Sequence, residues 1–131
     1  MLALGLGQDS LEQGFRRMVF NLAAANRDDH VKNVSFLMTP DGRWRLSPAF
    51  DVTYASGTGW TRTHQMTLAG KSAGFTREDL LGVADQFGLA QSGERVLLAV
   101  GEALGSWDDE ARSVGVPEDW IDTVRDAFTT F

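Results

Sequence analysis

Asp28, His30, Lys32 and Asn33 fall within one stretch, Asn26-Arg27-Asp28-Asp29-His30-Val31-Lys32-Asn33, and Asp51 follows in Pro48-Ala49-Phe50-Asp51. An acid, an amide five positions later and a second acid beyond a short ribbon form a donor set suited to a hydroxyl and a magnesium ion. Phosphoryl transfer asks little covalent chemistry of a protein. It needs an aligned hydroxyl, neutralised phosphate oxygens and usually magnesium. In this reading Asp28 is the base that orients the acceptor hydroxyl and takes its proton. Asn33 offers magnesium a neutral amide oxygen and Asp51 a charged one, the hard oxygen ligands that ion prefers. Lys32 or His30 compensates charge near the transferring group, with Lys32 favoured as the stronger point charge. Asn26 braces the loop. Each residue also has a plainer use: Asp28-Asp29 suits a solvated turn, His30 a structural hydrogen bond, Asn33 a cap and Asp51 the start of a turn. Their combination is what points to a site.

The elements around these residues must bring them together. Ser10 followed by Gln13 resembles a capping box, and Leu11, Phe15, Met18, Val19 and Leu22 recur at helical spacing, which predicts a helix over about 10–24. Gly14 weakens it slightly, and Asn26 suits its C-terminal stop. Residues 1–9 are expected to be a flexible segment ahead of a domain spanning 10–131. Val34 to Met38, the turn Pro40-Asp41-Gly42 and the alternating Arg43 to Leu46 predict a β-hairpin over about 34–47. Antiparallel pairing brings Asn33 and the Pro48–Asp51 segment to the same end of that hairpin. Residues 52–75 read as irregular, with His64 to Leu68 as a short extended piece closed by Gly70. Thr76 with Asp79 is a second capping box, opening a helix through Leu80, Leu81, Ala84 and Phe87 to Gly88. A third helix begins at Ser92, buries Val96, Leu97, Val100, Ala103, Leu104 and Trp107, and can run on toward Arg112. Pro117 starts a last helix lined by Trp120, Ile121, Val124, Ala127 and Phe128. The fold class is mainly α with one small β-hairpin.

Composition narrows the classes. The 131 residues are 43% hydrophobic, enough for one core, and hold no cysteine, which removes disulfides and thiolate zinc sites. Two histidines without a third partner also speak against structural zinc. The absence of a long apolar run argues against a membrane span, and the start lacks a secretory pattern, so a cytoplasmic protein is expected. Residues 1–75 carry eight Lys/Arg against six Asp/Glu, whereas residues 76–131 carry four against twelve. The acidic half opposes direct nucleic-acid binding. Trp44, Trp107 and Trp120 are expected to make core contacts and Trp60, in a Gly/Thr-rich stretch, to be exposed. His64 suits a structural role better than a ligand-binding one.

The motif from Asn26 to Asn33, followed by Trp44-Arg45-Leu46-Ser47-Pro48-Ala49-Phe50-Asp51, closely resembles the C-terminal lobe of HipA-like serine/threonine kinases, the toxins of bacterial toxin–antitoxin pairs. His64-Gln65-Met66-Thr67-Leu68-Ala69-Gly70-Lys71 resembles the segment that follows in that family. The resemblance runs from about residue 10 to residue 90 and implies a kinase-like lobe. It implies Asp28 as the catalytic aspartate, Asn33 and Asp51 as magnesium ligands, ATP as donor and a protein hydroxyl as acceptor. Known members phosphorylate an aminoacyl-tRNA synthetase, and their antitoxin partner binds DNA.

Family kinases are roughly three times longer, and their N-terminal region supplies the glycine-rich loop and the nucleotide-pairing lysine. Nothing before residue 10 is expected to replace these, so the 131 residues alone are expected to be an incomplete kinase. The implied partners are an N-terminal lobe on a separate chain and a DNA-binding antitoxin. The alternative is a non-catalytic module that uses an exposed lobe surface for protein binding or homo-oligomerisation.

Overall fold

The computed structural model describes residues 1–131 throughout. Its chain runs α1 (Gln8–Ala23), β1 (Phe36–Met38), β2 (Trp44–Leu46), α2 (Arg77–Gln86), α3 (Ala90–Gly105), α4 (Trp107–Ser113) and α5 (Glu118–Asp126), with 3-10 turns at Leu2–Leu4, Val31–Asn33 and Trp60–Arg62. This is the expected mainly helical architecture with one antiparallel hairpin. No helix is long and apolar enough to cross a membrane.

The core is where the periodic apolar faces of α1, α2 and α3 meet. Phe15, Val19 and Leu22 pack with Leu80 and Ala84, and with Val96, Leu97 and Val100. Leu80 and Val96 are completely buried, each worth about 1.5–3 kcal/mol relative to exposure. Gly93 permits the close approach of α3 to α2, because a Cβ there would sit 2.9 Å from Ala84 Cβ. The Thr76 capping box forms as expected. Thr76 Oγ1 accepts from the Asp79 amide at 3.3 Å, and the Thr76 amide donates to Asp79 Oδ2 at 2.9 Å.

Several boundaries differ from expectation. Helix α1 starts at Gln8 after Gly7, so Ser10 lies inside the helix and its capping box does not form. Within residues 1–9, Leu6 is buried, and Met1 lies across Gly14, where a Cβ would meet Met1 Cε at 2.5 Å. The glycine that weakens α1 locally is what admits this contact. The third helix begins at Ala90 and stops at Ser106, so Trp107 opens α4 instead of extending α3. Trp107 packs edge-on against Phe128 and donates from Nε1 to the Ile121 carbonyl at 3.1 Å, holding α4 to α5. Trp44 and Trp120 are largely exposed instead of in the core, and Phe87 is exposed as well, while Trp60 is exposed as expected at 79%. A helical stripe wider than the surface its neighbour covers leaves its edge residues, such as Trp120, in solvent.

The hairpin pairs Phe36 with Leu46, Leu37 with Arg45 and Met38 with Trp44. A further bond from the Ser47 amide to the Ser35 carbonyl (3.0 Å) extends the ribbon toward Asn33 and Pro48. Gly42, at φ 80°, supplies the left-handed residue of its turn. Residues 52–75 hold two isolated bridges, Asn26 with Ala55 and Leu68 with Lys71. The second is a tight turn with Ala69 and Gly70 both at positive φ, which replaces the expected extended piece.

Candidate functional site

Helix α1 ends in a tight reversal that launches the site loop. The Asn26 amide reaches back to the Asn21 carbonyl at 2.9 Å, and Ala25, not Asn26, takes the left-handed conformation at φ 54°. Small side chains at Ala23, Ala24 and Ala25, all buried, let the loop lie close to the helix end. Asn26 is 1% exposed. Its Nδ2 donates to Asn21 Oδ1 at 3.1 Å and to the Asp51 carbonyl at 3.4 Å, so the expected bracing residue links the loop directly to the second acid. On the other side, the Arg27 amide donates to the Ala55 carbonyl at 3.0 Å and the Ala55 amide to the Ala25 carbonyl at 3.2 Å.

The acid doublet divides its labour. Asp29 is buried, and it accepts from His64 Nδ1 at 2.9 Å and from the Gln65 amide at 2.9 Å. Burial alone would raise its carboxyl pKa. The hydrogen bonds from His64 and Gln65, His64's charge and a bond from the Met66 amide outweigh that and bring it below the usual value. His64 is thus a structural residue, also packed edge-on against Phe75. Asp28, by contrast, is half-buried, and its carboxylate makes no hydrogen bond to the protein. The Asp28 carbonyl accepts from the His30 amide at 2.9 Å and from Asn33 Nδ2 at 3.0 Å. The Asn33 amide nitrogen is therefore occupied, and its Oδ1 is left as an acceptor.

Asn33, Asp51 and His30 line one cavity of about 450 Å³ between α1, the hairpin and the loop. The hairpin has closed the eighteen-residue separation of Asn33 and Asp51 as antiparallel pairing requires. Asp51 is exposed, holds φ 54° and makes no side-chain bond. Asp tolerates that conformation better than most residues. Two free oxygen donors facing one cavity fit magnesium, which takes one or two protein ligands and completes its shell from water and phosphate. No group of three His, Cys, Asp or Glu side chains converges in the chain. Asp28 and Lys32 do not line this cavity, and Lys32 is exposed. The cation that does line it is Arg17 of α1, whose Nη2 donates to the Ser47 carbonyl at 2.7 Å. Nothing in the spacing of α1 separates Arg17 from Arg16 or marks it for the site.

The family profile described as HipA-like C-terminal domain matches residues 2–122. The chain belongs to the HipA-like C-terminal domain family. No curated protein and no solved structure matches it. The HipA-like match extends beyond the residues that carried the resemblance, taking in the first turn and helices α3 and α4.

Proposed function

We propose that this HipA-like domain is the catalytic half of a protein-serine/threonine phosphotransfer site, with ATP as donor. Asp28 acts as the base: its carboxylate is free while its backbone is pinned by His30 and Asn33. Asn33 and Asp51 are the magnesium ligands. Magnesium held there would neutralise phosphate oxygens and fix the donor's orientation. His30, which lines the cavity, is better placed than exposed Lys32 to face the transferring group. The observation that carries the reading is that the unpaired Asn33 Oδ1 and Asp51 carboxylate belong to residues of one cavity.

Donor positioning is the part these 131 residues lack, so transfer by them alone is expected to be negligible. Supplied with the glycine-rich N-terminal lobe of a family kinase, the domain is expected to phosphorylate a protein hydroxyl. Asp28→Ala should then lower the rate by about 10²–10⁴-fold. Robust transfer by residues 1–131 alone, or full activity of Asp28→Ala in the complemented system, contradicts the proposal. A DNA-binding antitoxin partner belongs to the same reading.

A second reading, a non-catalytic binding module, draws on the apolar residues exposed near the loop and hairpin: Val31, Met38 and Trp60 at 70%, 62% and 79%. Partner binding or self-association that survives Asp51→Asn and Asn33→Ala but fails in Trp60→Ala favours that module.

A further inference from the structure

Most cations of this chain have a partner within it. Of the twelve Lys and Arg side chains, seven lie within ion-pair distance of a carboxylate, and the five that do not are Arg17, Arg27, Lys32, Arg45 and Arg62. Arg17 is held on the Ser47 carbonyl, and Arg45 stands on the hairpin opposite Leu37. The other three gather around Asp28. Arg27 precedes it in the chain, and Arg27 Nη1 donates to the Arg62 carbonyl at 3.2 Å, which brings residue 62 alongside. Lys32 belongs to the turn that Asn33 Nδ2 ties back to the Asp28 carbonyl at 3.0 Å. The second acid of the doublet does not answer these charges, because Asp29 is turned inward to His64 and Gln65. Arg27, Asp28, Lys32 and Arg62 all lie outside the lining of the cavity that Asn33 and Asp51 share.

We propose that Arg27, Arg62 and Lys32 form the docking surface for an acidic protein segment, and that they select the acceptor whose hydroxyl reaches Asp28. The acceptor role rests on the phosphotransfer reading; the charge pattern does not. An uncharged Ser or Thr at Asp28, with Glu or Asp a few residues to either side, brings opposite charges together and keeps like charge away from the Asp28 carboxylate. Arg27, anchored by one N–H on the Arg62 carbonyl, keeps further guanidinium donors for a carboxylate. Val31, 70% exposed beside Lys32, and Trp60, 79% exposed two positions before Arg62, add apolar contact for a polypeptide. A nucleic-acid strand is disfavoured, because it would press phosphates against Asp28 and face the acid surplus of residues 76–131.

The test is a nitrogen-15 NMR titration of residues 1–131 with three synthetic peptides, each holding one serine flanked on both sides by Glu, by Gln or by Lys. The Glu peptide is expected to bind about tenfold tighter than the Gln peptide at low salt, as two or three exposed ion pairs would give, and to lose most of that margin at 0.5 M salt, about. Its amide shifts should centre on residues 27–32 and 60–65. Arg62→Glu, at an exposed position, should reverse the order so that the Lys peptide binds better than the Glu peptide, an outcome that mere loss of structure would not produce. If Arg27→Gln fails to fold, Arg62→Glu and Lys32→Glu decide. Equal affinity for the three peptides, an unreversed order in Arg62→Glu, or shifts centred elsewhere overturn the docking surface. A single-stranded oligonucleotide that outcompetes the Glu peptide at the same residues overturns the assignment to a protein. Glu-peptide binding without phosphate transfer, once the N-terminal lobe of a family kinase and ATP are supplied, keeps the surface and rejects the phosphotransfer reading. Transfer to the Glu and Lys peptides at equal rates does the reverse.

Discussion

The three-helix core and the segment from residue 24 to residue 75 are held by different forces. The core joins long helices through apolar faces, and its contacts repeat along each helix. The segment has two three-residue strands and little regular structure, yet it carries Asp28, His30, Asn33 and Asp51. Its order comes from buried and part-buried polar bonds that reach across the sequence: Arg17 to Ser47, Asn26 to Asp51, Asp29 to His64. Apolar packing tolerates small shifts, whereas hydrogen bonds fix atoms to within tenths of an ångström. The chain uses the first where it needs mass and the second where it needs position.

If that division holds, damage to the two regions should differ in kind. Leu80→Ala, at the centre of the core, should cost about 2–5 kcal/mol by urea denaturation, with both regions melting together. Asp29→Asn keeps the shape but loses the charge that holds His64. It should cost about 1–3 kcal/mol and speed hydrogen exchange at Gln65 and Met66 more than in α2 or α3. The same variant tests the pH response. Because the folded Asp29 carboxyl lies below its usual range, its contribution is present above an unfolded value of about 3.9 and is lost as pH falls through the folded value. The wild type should therefore lose more stability than Asp29→Asn on acidification below about pH 4. A parallel decline in both would deny Asp29 that role.

The contrast also explains what could be read from residues alone. The helical faces, the Thr76 capping box and the hairpin were legible because each depends on neighbours within a few positions. That Asn33 and Asp51 would reach one cavity was legible because a single hairpin connects them. Asp29 with His64, thirty-five positions apart, had no local signature, and Asp29 read as half of a solvated turn. Arg17 was hidden for the same reason, since its partner is the carbonyl of Ser47 and a carbonyl carries no residue identity. Trp44 and Trp120 were misplaced because periodicity shows which face a residue occupies but not how far the covering element extends.

Smaller changes sharpen the comparison. Thr76→Ala removes a local cap and should cost about 1 kcal/mol without altering exchange in the site loop. Ala69→Gly, at an exposed position with φ 50°, should change stability by less than about 1 kcal/mol, in the stabilising direction, because glycine meets no Cβ penalty there. Destabilisation by Ala69→Gly would show that the turn is held by more than its backbone.

The most direct test of the central claim is paramagnetic broadening by manganese(II), a magnesium surrogate, in the amide spectrum of residues 1–131. Broadening centred on Asn33 and Asp51, and abolished by Asp51→Asn with the fold intact, is the predicted result. Broadening centred on the acidic helices α4 and α5, or unchanged at Asn33 in Asp51→Asn, contradicts a shared metal site at the end of the hairpin.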